Sequence, residues 1–303
     1  MATDIPRQPG APQLLGAHVK DLGGGFVVRR LLPAAQRQAV GPFVFFDHFG
    51  PVTVTPADNH DVRPHPHIGL ATLTYLFDGV ILHRDNLGYT QRIEPGAINW
   101  MTAGSGIVHS ERKPESERQR TYINHGLQLW LALPESAQEL PASFTHTPAD
   151  AIPEVCDGDA LVRVLVGQAL GAHSPVLTVS PTLYLDVQLP AGGRWTLPML
   201  APEQAVYAVQ GDLQVDAQAL ATHTLAVLTD ATVLTAGPEG ARLVVIGGQP
   251  LGRRLMWWNF VSTSRERIDQ AAQAWAAGDA SQGMGQVPGE TERIALPERS
   301  PSA

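Results

Sequence analysis

The sequence predicts an all-β protein made of two antiparallel β-barrel domains in one chain, followed by a short C-terminal helix. Three observations carry this expectation. Glycine and proline number 29 and 25 in 303 residues, which suits many short strands joined by tight turns. Apolar or alternating runs bounded by Gly, Pro, Asp or Asn recur along the chain. The segment Tyr75-Leu-Phe-Asp-Gly79 also returns as Tyr207-Ala-Val-Gln-Gly211, the mark of an internal repeat.

Strands are expected at Gly25–Leu32, Leu70–Phe77, Gly126–Leu133, Leu161–Val166, Leu183–Leu189, Ala205–Val209 and Arg242–Ile246. The proline-rich stretch Pro134–Pro153 reads as a connection. One helix is expected over Ser264–Ala277. Thr263 and Glu266 offer a capping pair, Ile268, Ala271, Ala272 and Trp275 share one face, and Gly278 follows as the stop. The resulting division is a first barrel over 1–134, a linker over 135–153, a second barrel over 154–250, and a helix and tail over 251–303, with the Glu-rich end from Glu290 in solvent. Trp257, Trp258 and Phe260 are expected to plug one domain against the other or against the helix.

Composition narrows the function classes. Hydrophobic residues make up 44% and charged residues 17%, without an uninterrupted apolar run long enough to span a bilayer. No membrane association is expected. Met1–Gly10 has no secretory pattern and Cys156 is the single cysteine, so a cytoplasmic setting is expected. The formal charge of −8, without a basic stripe, argues against direct nucleic-acid binding.

The repeat locates the chemistry. At the spacing that links Tyr75 to Tyr207, His65-Pro66-His67 falls opposite Leu197-Pro198-Met199. Matching Met101–Gly104 to Leu234–Gly237 then sets His109 and Glu111 opposite Arg242 and Val244. The second copy is expected to keep the scaffold without the ligands. On a strand, residues i and i+2 share a face, so His65 with His67, and His109 with Glu111, can direct three imidazoles and a carboxylate into one space. Such a mixed N/O set suits one divalent first-row metal with open positions for water, dioxygen or a chelating substrate. A lone histidine is more often a hydrogen-bonded structural residue, and His48, His60, His83 and His125 are read that way. Phe45, Phe46, Gln128 and Trp130, with His48, are candidates for a substrate pocket, and the aromatic residues among them serve equally well as core.

Several motifs together resemble the pirin family of the cupin superfamily: Pro42-Phe-Val-Phe-Phe-Asp-His-Phe-Gly-Pro51, Arg63-Pro-His-Pro-His-Ile-Gly69, Gly104-Ser-Gly-Ile-Val-His-Ser-Glu111 and Gly126-Leu-Gln-Leu-Trp130. The resemblance implies a bicupin of two jelly-roll barrels, with one metal on His65, His67, His109 and Glu111 and an empty second barrel. It implies iron(II) first, with manganese, nickel, cobalt, copper or zinc as alternatives. Ala71 stands where many cupins carry a ligating Glu, which leaves the carboxylate to Glu111. The activity implied is that of an oxidoreductase opening flavonols such as quercetin with dioxygen and release of carbon monoxide, with Glu111 taking the proton of the 3-hydroxyl. The alternative is a metal-containing, redox-sensitive regulatory protein that binds a protein partner and changes that binding with the metal's redox state.

Overall fold

The computed structural model describes residues 10–23 and 25–298; nine of the ten residues of the N-terminal stretch and the last five of the tail lie outside the described residues. Two compact units emerge, and neither is one continuous stretch of chain. One comprises Val19–Arg30, Val44–Ala151 and the chain from Leu251; the other comprises the chain up to His18, Leu31–Phe43 and Ile152–Pro250. The stretch 135–153, expected as a linker, carries the strand Ser143–Thr147, which pairs with Ile98–Thr102 at the edge of the first unit's sheet.

Each unit has the same plan, a seven-stranded and a four-stranded antiparallel sheet. In the first, the large sheet runs Ser143–Thr147, Ile98–Thr102, Leu70–Asp78, Tyr122–Ala132, Phe43–Val54, Val27–Leu32, His18–Asp21. The small sheet runs Val62–His67, Ile107–Arg112, Ile81–Asp85, Thr90–Ile93. In the second, the large sheet runs Gln13–Gly16, Thr224–Leu228, Glu203–Gln210, Ala241–Gly248, Thr182–Leu189, Ala160–Val166, Glu154–Asp157, and the small sheet Arg194–Leu197, Thr232–Ala236, Leu213–Val215, Gln218–Leu220. The all-β, two-cupin architecture is therefore present, and the expected strands fall where the alternation placed them.

The repeat extends to an irregularity. Opposite Tyr122–Ala132, Phe77 is the extra residue of a bulge, because His125 pairs with Asp78 and Gly126 with Leu76. In the second unit Val209 is the extra residue, because Leu243 pairs with Ala208 and Arg242 with Gln210. Phe77 and Val209 occupy the same place in the two copies.

The later half of the expected alignment needs correcting. By sheet order, the counterpart of Ile107–Arg112 is Thr232–Ala236, whereas Arg242 and Val244 lie on the counterpart of Tyr122–Ala132. His65 pairs with His109 and Leu197 with Thr232, so Thr232 and Leu234 answer His109 and Glu111. The Thr-Ala-Gly match that misled the alignment joins two non-equivalent turns. The second unit's interior is closed by apolar packing: Trp195, Leu197, Leu213, Leu234 and Val245 are among the buried residues of one continuous core. Among the described residues, the His, Cys, Asp or Glu group able to hold a metal ion is His65, His67 and His109, in the first unit.

The helix runs Arg265–Ala277. Its N-cap is Ser264, whose hydroxyl accepts from the Arg267 amide, and not Thr263, which donates from its hydroxyl to Gln138. Gly278, at φ 66°, closes the helix. Ile268, Ala271, Ala272 and Trp275 pack with Ile68, Val108 and Phe260, and Trp258 lies with its ring 6.5 Å from that of Trp275. The Trp257–Phe260 cluster thus backs onto the helix. The tail corrects a second expectation in part: Glu290 is half-buried with its side chain turned inward, pairing with Arg112 and accepting from Ser110 at 2.6 Å, while the Ile294 amide donates to the Pro64 carbonyl. An apolar anchor (Met284, Val287, Leu296) holds this segment against the helix cluster, which the run of glutamates in the sequence conceals.

Candidate metal centre and its cavity

The candidate ligands sit on two antiparallel strands of the small sheet. His65 lies directly opposite His109 and His67 opposite Ile107. Two glycine turns deliver them. Gly69, at φ 66°, follows His67, and Gly104, at φ 51°, precedes the His109 strand. The Gly69 amide donates to the Gly104 carbonyl at 2.8 Å. A Cβ on either would stand 1.9 Å from a backbone oxygen, of Val261 or Leu140, so both the left-handed backbone and the close approach require glycine. Val62–His67 is an edge strand, which tolerates its two prolines; its bulge falls at Arg63–Pro64, and Pro66 pairs in register with Val108.

His65, His67 and His109 are buried, and their ring nitrogens come within 4.8 Å of one another. Burial lowers all three pKa values: His65 falls to about 4, and His67 and His109 fall well below the ordinary value, helped by repulsion from the neighbouring imidazoles. Neutral imidazole is the form that ligates. The His65 Nδ1 donates to the Arg63 carbonyl at 2.9 Å, which leaves Nε2 as a lone pair. His67 Nε2 lies 3.1 Å from His109 Nε2, and the His67 ring also meets the backbone of Asn259. Two nitrogens about 2.1 Å from one ion and at right angles would lie about 3.0 Å apart. The donor set therefore fits a single first-row divalent cation.

Glu111 is brought to the same cavity but lies outside the three-imidazole cluster. It pairs across the strands with His83 and Val62. Burial in the cavity wall, without a compensating cation, pushes its carboxyl up to about 7.

The cavity has a volume of about 610 Å³, within the range that holds small ligands. Phe45, Gln128 and Trp130 line it; Phe46 and His48 do not. The physical reason is the two-residue period of the strand Phe43–Val54, which turns Phe45, Asp47 and Phe49 to the cavity and the intervening residues away. Phe46 is fully buried in core, and His48 contacts His125 at 2.8 Å between their Nε2 atoms. Phe45 is sandwiched between Trp130, stacked at 4.0 Å, and the Arg30 guanidinium at 4.2 Å, so it offers a ligand an edge and not a face. Arg30 is held by Asp47 through two hydrogen bonds of 2.8 and 2.7 Å. Trp130 meets His67 edge-on at 5.0 Å. Sequence reasoning missed Trp258, Asn259 and Ile294, which the C-terminal segment adds to the wall; nothing in their local spacing marks them.

The Pirin family profile matches residues 25–131 and that of the Pirin C-terminal cupin domain residues 184–281. A Pirin-like protein of Caulobacter vibrioides is 44% identical over 266 residues, which cover 86% of this chain and 92% of the relative. Human Pirin is 34% identical over 259 residues, covering 82% and 86%. The crystal structure of a quercetin 2,3-dioxygenase from Acinetobacter baumannii superimposes with a TM-score of 0.88 at 32% identity, covering 97% of each chain. With both family profiles matched and its two-cupin fold shared along nearly the whole chain, this protein belongs to the pirin family.

Proposed function

We propose that the protein is a metal-dependent dioxygenase of the quercetin 2,3-dioxygenase type, with His65, His67, His109 and Glu111 as metal ligands and iron(II) as the metal. The observation that carries this reading is the placement of three neutral imidazoles and a protonatable carboxyl at one cavity of ligand size. The resemblance in fold and sequence to the Acinetobacter quercetin 2,3-dioxygenase supports the substrate class.

The bound metal would supply Lewis acidity toward a flavonol hydroxyl and a site for dioxygen. The chain supplies the rest. Glu111, at the same cavity, offers a carboxylate oxygen to take the proton of the 3-hydroxyl. Gln128 accepts from the Thr74 hydroxyl at 2.8 Å through Oε1, which leaves its N–H donors for a ligand in the cavity it lines. Phe26, Phe49, Val54 and Ile81 give that cavity an apolar wall suited to a flat aromatic body. Iron(II)-loaded protein mixed with quercetin under air should consume the flavonol absorbance and release carbon monoxide. Absence of turnover across a panel of flavonols, with metal bound, overturns the proposal.

A further inference from the structure

His83 and Asp85 lie on the strand Ile81–Asp85, the neighbour of the His109 strand on the side away from His65. As residues i and i+2 they share a face, and Asp85 stands directly opposite His109. Both are buried, Asp85 completely. His83 Nε2 lies 2.9 Å from Asp85 Oδ2, and His83 Nδ1 lies 3.3 Å from His109 Nδ1. The other Asp85 oxygen accepts from the amides of Leu87 and Tyr89, each at 3.0 Å. The His83 ring lies flat on Phe144, with centroids 4.2 Å apart and planes 14° apart.

We infer that Asp85 and His83 form a two-step relay that fixes the tautomer of His109 and thereby sets the affinity of the metal site. The carboxylate of Asp85 can only accept, so the His83 proton sits on Nε2. In its neutral form His83 then presents Nδ1 as an acceptor, 3.3 Å from His109 Nδ1, and His109 donates to it from Nδ1. The proton of His109 is thus held on its outer nitrogen, and Nε2 faces the cluster as a lone pair. An isolated neutral imidazole is free to place its proton on either nitrogen; here the choice is made two residues away, by a carboxylate whose own direction is set by two backbone amides. Phe144 keeps the His83 ring from turning out of the line. His65 reaches the same state through the Arg63 carbonyl, so two of the three imidazoles carry outer partners that leave Nε2 unprotonated.

The inference rests on the metal-site reading, and Asp85→Asn tests it. The amide keeps Oδ1 on the two backbone N–H groups and turns Nδ2 toward His83, which reverses every proton in the relay and places that of His109 on Nε2. In metal-free protein, nitrogen-15 NMR of the imidazoles should show His109 protonated at Nδ1 in the wild type and at Nε2 in the variant. Nickel(II) affinity, measured by competition with a fluorescent chelator, should fall 10- to 100-fold, the usual effect of losing an outer partner of a ligand. His83→Phe, which keeps a ring on Phe144 and deletes the relay, should also lose at least 10-fold and leave His109 in mixed tautomers. An unchanged tautomer, or affinity within twofold of wild type in either variant that folds, overturns the relay. Failure of wild-type protein to bind nickel(II) overturns the metal-site reading itself; the tautomer experiment needs no metal and tests the relay even then.

Discussion

His67 and His109 present their Nε2 atoms to each other across 3.1 Å. Two lone pairs that close repel unless a proton or a cation lies between them. The expected consequence is that metal is stabilising: saturation at about 100 times Kd adds about 2.7 kcal/mol to folding. Thermal melts with and without chelator should separate in wild type and coincide in His67→Ala, which should fold yet carry no stoichiometric metal by elemental analysis. Full loading of the alanine variant would remove His67 from the ligand set.

Glu111→Gln separates ligation from proton transfer. The amide oxygen can still face the ion but cannot accept a proton at neutral pH. Metal content should drop only in part, while flavonol turnover per bound metal falls by about two orders of magnitude or more. Unaltered turnover per metal would leave Glu111 a ligand alone.

Acid should unfold the metal-free protein earlier than a typical domain, for a reason specific to the cluster. The three imidazoles have folded pKa values below their unfolded value of 6.5, so the unfolded chain binds more protons below that pH and stability falls as pH drops from 6.5 toward 4. Glu111 acts with the opposite sign: its pKa rises from 4.5 to about 7 on folding, so its contribution is present at low pH and is lost as pH rises through 7. Urea midpoints should therefore decline from pH 7 to pH 5 in wild type and decline more steeply in Glu111→Gln. An identical slope in the two proteins would show that the Glu111 carboxyl titrates normally.

The tail should matter for stability through one glutamate and not its neighbour. Glu290 has a side chain 6% exposed where it meets Arg112 and Ser110, whereas Glu292 is 52% exposed. Glu290→Ala should cost about 2–3 kcal/mol, the scale of lost hydrogen bonds to a charged group, and Glu292→Ala less than about 1 kcal/mol, as for an exposed pair. Urea denaturation of the two variants side by side checks the difference; equal effects would contradict it.

Much of the molecule was legible because strand periodicity and turn residues are local signals. The His65, His67 and His109 cluster follows from i, i+2 spacing on paired strands, and the duplicated tyrosine–glycine segments expose the second copy. Glu111 shows the limit of that logic: the bulge at Arg63–Pro64 alters its pairing, and a bulge leaves no reliable trace in spacing. His48 and Phe46 share the residue types of a pocket wall with Phe45, but the two-residue period sends them to the other face. Asp85 and Ile294 carry no signal in the sequence, and His83 reads there only as a structural histidine, because their roles depend on which strands and tail segments meet, information that exists only after the chain has folded.

The strand Gln13–Gly16 completes its sheet by pairing with Thr224–Leu228, residue 13 with residue 227. During synthesis at about 5–20 residues per second, that first strand leaves the ribosome roughly ten to forty seconds before its partner exists. Its unpaired edge must stay soluble for that time. A gene cut between the halves would strand this segment on the wrong fragment, so the two halves cannot be expected to work as separate expression products.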